Sequence, residues 1–217
     1  MATLDSHEQE QIDAIKSWWK DNSKGVYLAV TVILVGVLAT QFWNSYKTKQ
    51  ASEAATLFAE VTNQLASKDT KRINDAAAAV IDKYGSSAYA PRASLLAAEA
   101  NIQAGDGARA KTQLQWVIEH SAEDALKDVA RLKLAALLLD EKNYTDALAQ
   151  LEAKHPESFD SLYADLKGDV LSLQGKTAEA LVAYRLAYDK AEANGAYRNV
   201  IRMKLEMLGG DASGGAK

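Results

Sequence analysis

The longest apolar stretch of the chain covers residues 26–43, eighteen residues without a charged side chain. As a helix, this segment is about 27 Å long, close to the ~30 Å hydrocarbon core of a bilayer. Its strongly apolar residues favour membrane insertion by about 3–6 kcal/mol. Lysines flank it, and near its ends lie aromatic residues of the kind that anchor helices at membrane interfaces: Trp18, Trp19, Tyr27, Trp43 and Tyr46. The pattern predicts a transmembrane helix over residues 25–46.

Two other interpretations of this segment are a core helix of a soluble protein and a cleaved signal peptide. A signal peptide has a short basic leader, an apolar core of about 7–15 residues and a small-residue cleavage site. Here the leader is long and contains acidic residues, and no small-x-small site follows Trp43. The flanking lysines and aromatic ends favour lipid over a protein core. We therefore expect a retained anchor that crosses the membrane once.

The leader, residues 1–24, has a weaker apolar pattern of its own. Ser6 and Gln9 have the spacing of a capping box, and apolar residues then recur at helical spacing: Ile12, Ile15 and Trp19. This predicts a short amphipathic helix in the membrane interface, with a partly disordered tail as the alternative. The polar residues 21–25 predict a break before the anchor. Three lysines precede the anchor and two follow closely, which favours a cytoplasmic leader by one charge.

Residues 47–208 predict a series of helices with an internal repeat. Three turns align on one small residue each, at Ala110, Ala147 and Ala180, with steps of 37 and 33 residues. These steps bracket the tetratricopeptide period of 34 residues. A second small residue lies twelve positions earlier (Ala98, Ala135, Gly168), and a bulky one four positions later (Leu114, Leu151, Tyr184). Small residues facing each other let two antiparallel helices approach closely, and the bulky residue fills the space between neighbouring pairs.

The predicted fold is therefore all-α, with a single N-terminal transmembrane helix followed by a tetratricopeptide-like helical-hairpin solenoid. Residues 51–84 match the repeat poorly and predict an atypical first hairpin. The last helix is expected to cap the stack through one apolar stripe: Tyr197, Ile201, Leu205 and Leu208. Residues 209–217, rich in glycine, predict a flexible tail.

Composition narrows the possible functions. A net charge of −4 argues against a general nucleic-acid binder. The chain has no cysteine, so thiol catalysis, disulfides and cysteine-ligated zinc are excluded. His7, His120 and His155 lack metal-ligand spacing, and the Ser-x-x-Lys match at Ser17 and Lys20 has none of its supporting motifs. We expect no enzymatic activity and no cofactor.

The first helix of each repeat is expected to line a peptide-binding inner face. Transferring the tetratricopeptide pattern places these side chains there: Arg92, Leu95, Glu99, Ile102 and Gln103, then Val129, Leu132, Ala136, Leu139 and Asp140, then Leu162, Asp165, Asp169, Ser172 and Leu173. The set is apolar and acidic, which favours an amphipathic or basic segment over an acidic peptide end. Asp165 and Asp169 are the preferred acids of this groove. The alternative is that the leucines pack between hairpins and the acids are solvated.

Three stretches resemble the YfgM-like family, ancillary subunits of the bacterial SecYEG translocon. They are residues 10–19 (EQIDAIKSWW), residues 43–45 (WNS) and residues 164–169 (ADLKGD). The resemblance implies an inner-membrane protein with a cytoplasmic N-terminus and a periplasmic repeat domain. It also implies association with the translocon, with a PpiD-type membrane-anchored chaperone and with exported client proteins. An alternative function is a membrane-tethered envelope-stress regulator that acts through its cytoplasmic leader.

Overall fold

The computed structural model describes residues 6–193 and 195–211, with side chains from Gln9 onward. The chain divides into two compact units, residues 1–50 and residues 51–217. In these described ranges the regular structure is helical and contains no strand, so the all-α prediction is confirmed. The predicted capping box at Ser6, the side chain of His7 and residues 212–217 of the predicted tail lie outside what is described.

The first unit consists of residues from α1, a helix that covers Ser6–Leu65. Its apolar window has a mean hydropathy of 2.0 and is long enough to cross a membrane, and none of it is buried within the protein. This exposure contradicts the alternative of a soluble core helix. Thr31 and Thr40 donate their hydroxyls to the carbonyls of Tyr27 and Val37, at 2.7 and 2.8 Å. These bonds satisfy the threonine hydroxyls within the helix, as a lipid environment requires.

The predicted break at residues 21–25 is wrong, because α1 continues through them. Glycine costs a helix about 1 kcal/mol but, unlike proline, leaves the backbone hydrogen bonds intact. Two side-chain contacts also bridge this segment. Asn22 donates to the carbonyl of Trp18 at 2.9 Å, and the rings of Trp19 and Tyr27 meet edge to face at 5.7 Å. The short leader helix and the anchor therefore belong to one helix.

The second unit is built from helical hairpins. After the last residues of α1, its helices are α2 (Thr70–Tyr84), α3 (Tyr89–Gln103), α4 (Gly107–His120), α5 (Asp124–Asp140), α6 (Tyr144–Leu151), α7 (Asp160–Leu173), α8 (Thr177–Lys190) and α9 (Ala196–Met207). A short 3₁₀ turn, Glu157–Phe159, precedes α7. The three aligned turns share one geometry, with a left-handed residue at Gly105, Lys142 and Gly175. The amide of the following residue bonds back to the fifth residue before it at 2.8–3.0 Å, which ends each first helix in the same way.

Close helix contacts inside the hairpins confirm the role predicted for the small residues. The five alanines of the repeat pattern have no solvent exposure: Ala98, Ala110, Ala135, Ala147 and Ala180. In the α7–α8 hairpin, Gly168 faces the ring of Tyr184 so closely that a Cβ there would lie 2.5 Å from two ring atoms. The bulky partners Leu114 and Leu151 join a continuous core between hairpins. Each hairpin thus buries its outer face only by stacking on the next.

Lys204 and Tyr197 hold α9 on two acidic residues of α7, and Tyr184 of α8 bonds to one of the same acids. Lys204 Nζ lies 2.8 Å from Asp165 Oδ2 and 2.8 Å from Asp169 Oδ1, both on α7. Tyr197 donates its hydroxyl to Asp165 and Tyr184 donates to Asp169, each at 2.7 Å. Burial alone would lower the pKa of Lys204, but its hydrogen bonds to the two carboxylates outweigh burial and raise that pKa. We call this cluster the Lys204 lock.

The tight contact at Gly168 predicts opposite effects for two glycine substitutions. Gly168→Ala should destabilise the repeat unit by about 1 kcal/mol, because overpacking against the buried Tyr184 ring costs more than the gain in helix propensity. Gly107→Ala is the control, since its Cβ would meet neighbours at an ordinary 3.5 Å. The Gly107→Ala substitution should stabilise the repeat unit slightly. Urea denaturation of the full-length protein in detergent, followed by circular dichroism, measures both, and a stabilised Gly168→Ala variant would contradict this packing.

The Lys204 lock predicts a pH-dependent stability difference. Lys204→Met should cost about 2–3 kcal/mol, between the values for exposed and buried ion pairs. The pKa of Lys204 is raised above 10.5 in the folded state. Its contribution is therefore fully present below pH 10.5 and is lost as the pH rises through the folded pKa. Thermal unfolding at pH 7–11 should show the gap between wild type and Lys204→Met shrinking only at the alkaline end.

The control for this variant is Lys71→Met, which removes the exposed pair with Asp75. This substitution should leave the stability nearly unchanged, because an exposed ion pair contributes little. Equal effects of the two substitutions would show that Lys204 is an ordinary surface lysine.

Candidate functional site

The apolar residues predicted for the inner face mostly pack between hairpins. Leu95, Ile102, Leu132 and Leu139 are half-buried and lie against the core that joins α3 to α7. Each lies on a first helix, on the side that meets the next hairpin. Of the two interpretations that the sequence left open, the structure supports packing for these four residues. They do not form the wall of an open groove.

Apart from the exposed Asp140, the charged residues of the predicted inner face are paired within the described part of the chain. Arg92 makes two hydrogen bonds to the carboxylate of Glu123, at 2.7 and 2.8 Å. This contact raises the pKa of Arg92. Glu99 lies 2.5 Å from Lys133 Nζ, and that hydrogen bond is the main reason why the pKa of Glu99 is lowered. Both pairs tie α3 to the following hairpin.

The preferred groove acids, Asp165 and Asp169, belong to the Lys204 lock. Asp165 is buried, with 5% of its surface exposed. Lys204 of α9 pairs with both acids in this structure, and their contact with a bound partner stays a prediction. Burial and the neighbouring carboxylates raise the pKa values of Tyr197 and Tyr184, which keeps both hydroxyls protonated as donors. Among the residues predicted for the inner face, those that remain exposed are Gln103, Asp140, Leu162 and Leu173.

Exposed apolar side chains of the repeat unit concentrate in its last three helices. Within the described part of residues 47–211, every exposed large apolar residue lies on α7, α8 or α9: Leu162, Leu173, Val182, Leu186, Tyr197, Val200, Met203 and Met207. We call this set the C-terminal apolar surface. Met207 is 84% exposed and Val182 is 71% exposed. Terminal repeats usually present a polar outer face to remain soluble, so this set indicates a surface that meets another molecule.

Only part of this surface could be recognised in the sequence. Val200, Met203 and Met207 recur at helical spacing and form a second stripe on α9, beside the stripe that packs on the stack. The helical spacing of these three residues could therefore have indicated a second apolar stripe from the sequence alone. Val182 and Leu186 on α8 are indistinguishable from core positions without knowing which hairpins cover them.

Several open hollows lie on the repeat unit. One of about 530 Å³ lies between the α1–α2 turn and α3, and one of about 550 Å³ lies between α4 and α6. A third, of about 310 Å³, lies between α7 and α8 and is bounded by Ala164, Lys167, Leu171, Glu179, Val182, Ala183 and Leu186. We call it the α7–α8 hollow. It is the hollow that includes part of the C-terminal apolar surface.

The described histidines make structural contacts. His120 stacks on Trp116 at 4.7 Å, and His155 stacks on Tyr163 at 3.8 Å and lies 3.4 Å from Asp160. Across the residues that the structure describes, no group of three or more His, Cys, Asp or Glu side chains is placed to hold a metal ion. The arrangement presents surfaces for binding.

Comparison with known proteins agrees with this architecture. A family model described as a tetratricopeptide repeat-like domain matches residues 16–210. A protein of Neisseria gonorrhoeae is 29% identical over 202 residues, which is 93% of this chain and 97% of the relative. Proteins of Haemophilus influenzae and Escherichia coli are each 24% identical, over 204 and 202 residues, with the same shares covered. All three are named ancillary SecYEG translocon subunit. No solved structure shows a significant match.

The matched region includes the anchor and every hairpin, so the family assignment covers nearly the whole chain. The resemblance carried by the leader and repeat motifs is confirmed by these relatives. This chain belongs to the tetratricopeptide repeat-like domain family.

Proposed function

We propose that this protein is a membrane-anchored ancillary subunit of the bacterial SecYEG translocon, and that its repeat unit holds another polypeptide at the membrane. The observation that carries the proposal is the joint presence of an exposed apolar anchor helix and an exposed apolar surface on α7–α9. An anchor confines the protein to the membrane surface, and an apolar surface on a helical repeat domain binds proteins. The names of the relatives supply the translocon as the assembly.

The proposed binding surface differs from the one that the repeat pattern predicts. Most apolar positions on the inner face stabilise the stack, and its charged positions other than Asp140 are paired internally. In the C-terminal apolar surface the Tyr197 hydroxyl bonds to Asp165, and the apolar side chains are exposed. Burying this surface against a partner gains about 25 cal/mol for each Å² removed from water. This gain makes α7–α9 the energetically favoured docking region.

The proposal also includes the orientation of the protein in the membrane and the polypeptide that its repeat unit binds. The one-lysine excess before the anchor supports a cytoplasmic leader and a periplasmic repeat unit. The family resemblance supports a PpiD-type membrane-anchored chaperone and emerging exported proteins as the polypeptides held by the surface. In this function the protein links the exit of the channel to a chaperone. It needs no catalytic group.

The regulator alternative rests on the leader, which exposes Ile15 and Trp18 on α1. These residues also fit a helix that contacts lipid headgroups. Replacing residues 1–20 with an unrelated basic leader separates the two functions, because an adaptor tolerates this exchange and a regulator loses its signal.

Site-directed photocrosslinking in intact membranes tests the adaptor function. A photoreactive residue at Val182 or Met203 should capture a translocon subunit or a membrane-anchored chaperone, identified by mass spectrometry. Ala78 on α2 is the control, because it is exposed but lies outside the C-terminal apolar surface. Leu132, packed between hairpins, should give no product. Equal yields at Ala78 and Met203, or no capture of either partner from Val182 and Met203, would refute the proposal.

A further inference from the structure

The α7–α8 hollow has an apolar centre with one charge of each sign on its rim. Ala164, Leu171 and Ala183 are buried and form its floor. Val182 and Leu186, which are 71% and 50% exposed, stand beside it on α8. The remaining boundary residues are Lys167 and Glu179. Neither has an ion-pair or hydrogen-bond partner among the described residues, so both charges are available to an incoming molecule.

The short helix α6 explains why this apolar floor is open. The second helices of the neighbouring hairpins, α4 and α8, each have fourteen residues, whereas α6 has eight. Leu148 of α6 packs against both the middle core and the α7–α9 core, and α6 adjoins α7, which supplies Ala164 and Leu171 of the floor. Beyond Leu151 the chain leaves helical geometry, and no further turn of α6 extends along α7. A helical segment from another molecule can occupy that space.

The register of α7 and α8 gives the spacing of the two charges. The two helices are antiparallel, with Gly168 opposite Tyr184 and the Ser161 hydroxyl bonded to the carbonyl of Ala187. Lys167 is therefore level with a position about six residues beyond Glu179 along α8. At 1.5 Å per residue this separation is about 9 Å along the helix axis. Two turns of a docked helix span about the same length.

We propose that the α7–α8 hollow docks an amphipathic helical segment of a partner polypeptide that carries an acidic and a basic residue two turns apart, with apolar residues between them. The apolar residues of the docked segment cover Ala164 and Ala183 and lie between Val182 and Leu186. The acidic residue lies at Lys167 and the basic residue lies at Glu179. This inference deepens the proposed function, on which it rests, by naming the kind of segment held and where it lies.

The charge pattern distinguishes this segment from other occupants. A uniformly basic or uniformly acidic helix places one like charge against the rim, which is repulsive. A purely apolar segment gains nothing from Lys167 and Glu179. The site is also separate from the inner face where the predicted groove lies, since Lys167 is on the side of α7 next to Tyr163 and Leu171, four residues away in each direction.

Binding of designed peptides to the full-length protein in lipid nanodiscs tests the proposal. The probes are fluorescein-labelled, alanine-based helices with leucines at positions i+3 and i+4 and charges at positions i and i+7. The three charge patterns are Glu/Lys, Glu/Glu and Lys/Lys. Fluorescence anisotropy should show the Glu/Lys peptide binding wild type about three- to tenfold tighter than the other two, as two surface ion pairs allow.

Protein variants test whether Lys167 and Glu179 recognise the charges of the peptide. Lys167→Glu should shift the preference to the Lys/Lys peptide, and Glu179→Lys should shift it to the Glu/Glu peptide. Leu186→Asp should weaken all three peptides at least about tenfold. Ala78→Asp is the matched control, because it alters an exposed residue outside both the hollow and the C-terminal apolar surface and should leave all three affinities unchanged. Circular dichroism confirms that each variant is folded.

Other results overturn the proposal. These are absence of binding, equal affinity of the three peptides for wild type, or binding that Leu186→Asp leaves intact. Self-association in sedimentation that Leu186→Asp abolishes would show a second copy in the hollow instead. The crosslinks from Met203 provide a separate readout. If the crosslinks persist while peptide selectivity fails, the docking inference is wrong and the translocon function stands. If the crosslinks fail while peptide selectivity persists, the translocon function is wrong and the hollow still binds a helix of this charge pattern.

Discussion

The repeat unit depends on the close approach of small residues inside each hairpin. Ala98, Ala135 and Gly168 allow the two helices of a pair to pack tightly, and the larger residues are left on the outer faces. Those faces are too apolar to meet water, so each hairpin must stack on another. The same constraint leaves apolar surface where the stacking of the described hairpins stops. The C-terminal apolar surface is a direct consequence of the packing that holds the repeats together.

The Lys204 lock shows how the stack accommodates charge at that end. At the position of Leu132 and Ala136 in the preceding repeat, α7 has Asp165 and Asp169. Two carboxylates on one helix face repel each other unless a cation joins them. Lys204 provides the cation, and the hydroxyls of Tyr197 and Tyr184 occupy further acceptor sites. The acids that looked suited to a basic ligand bind a basic helix of the same chain.

Membrane attachment and protein binding reside in different units of the chain. In the first unit, exposed apolar residues form a helix whose polar backbone is satisfied internally, which is the requirement of lipid. In the second unit, apolar residues are buried between hairpins except on α7–α9. In the proposed function, the anchor contacts lipid and the α7–α9 surface contacts a partner polypeptide, so the two contacts use separate apolar surfaces.

The sequence by itself determined the anchor, the helical class and the repeat, because these depend on local composition and on spacing along one helix. It did not determine whether residues 21–25 interrupt α1, since glycine and short polar residues weaken a helix without breaking it. It also did not determine which apolar residues are exposed. Leu132 and Leu186 have the same chemistry, yet one packs against the core between hairpins and the other stands exposed beside the α7–α8 hollow. Only the tertiary structure decided this, because burial depends on what covers a helix face.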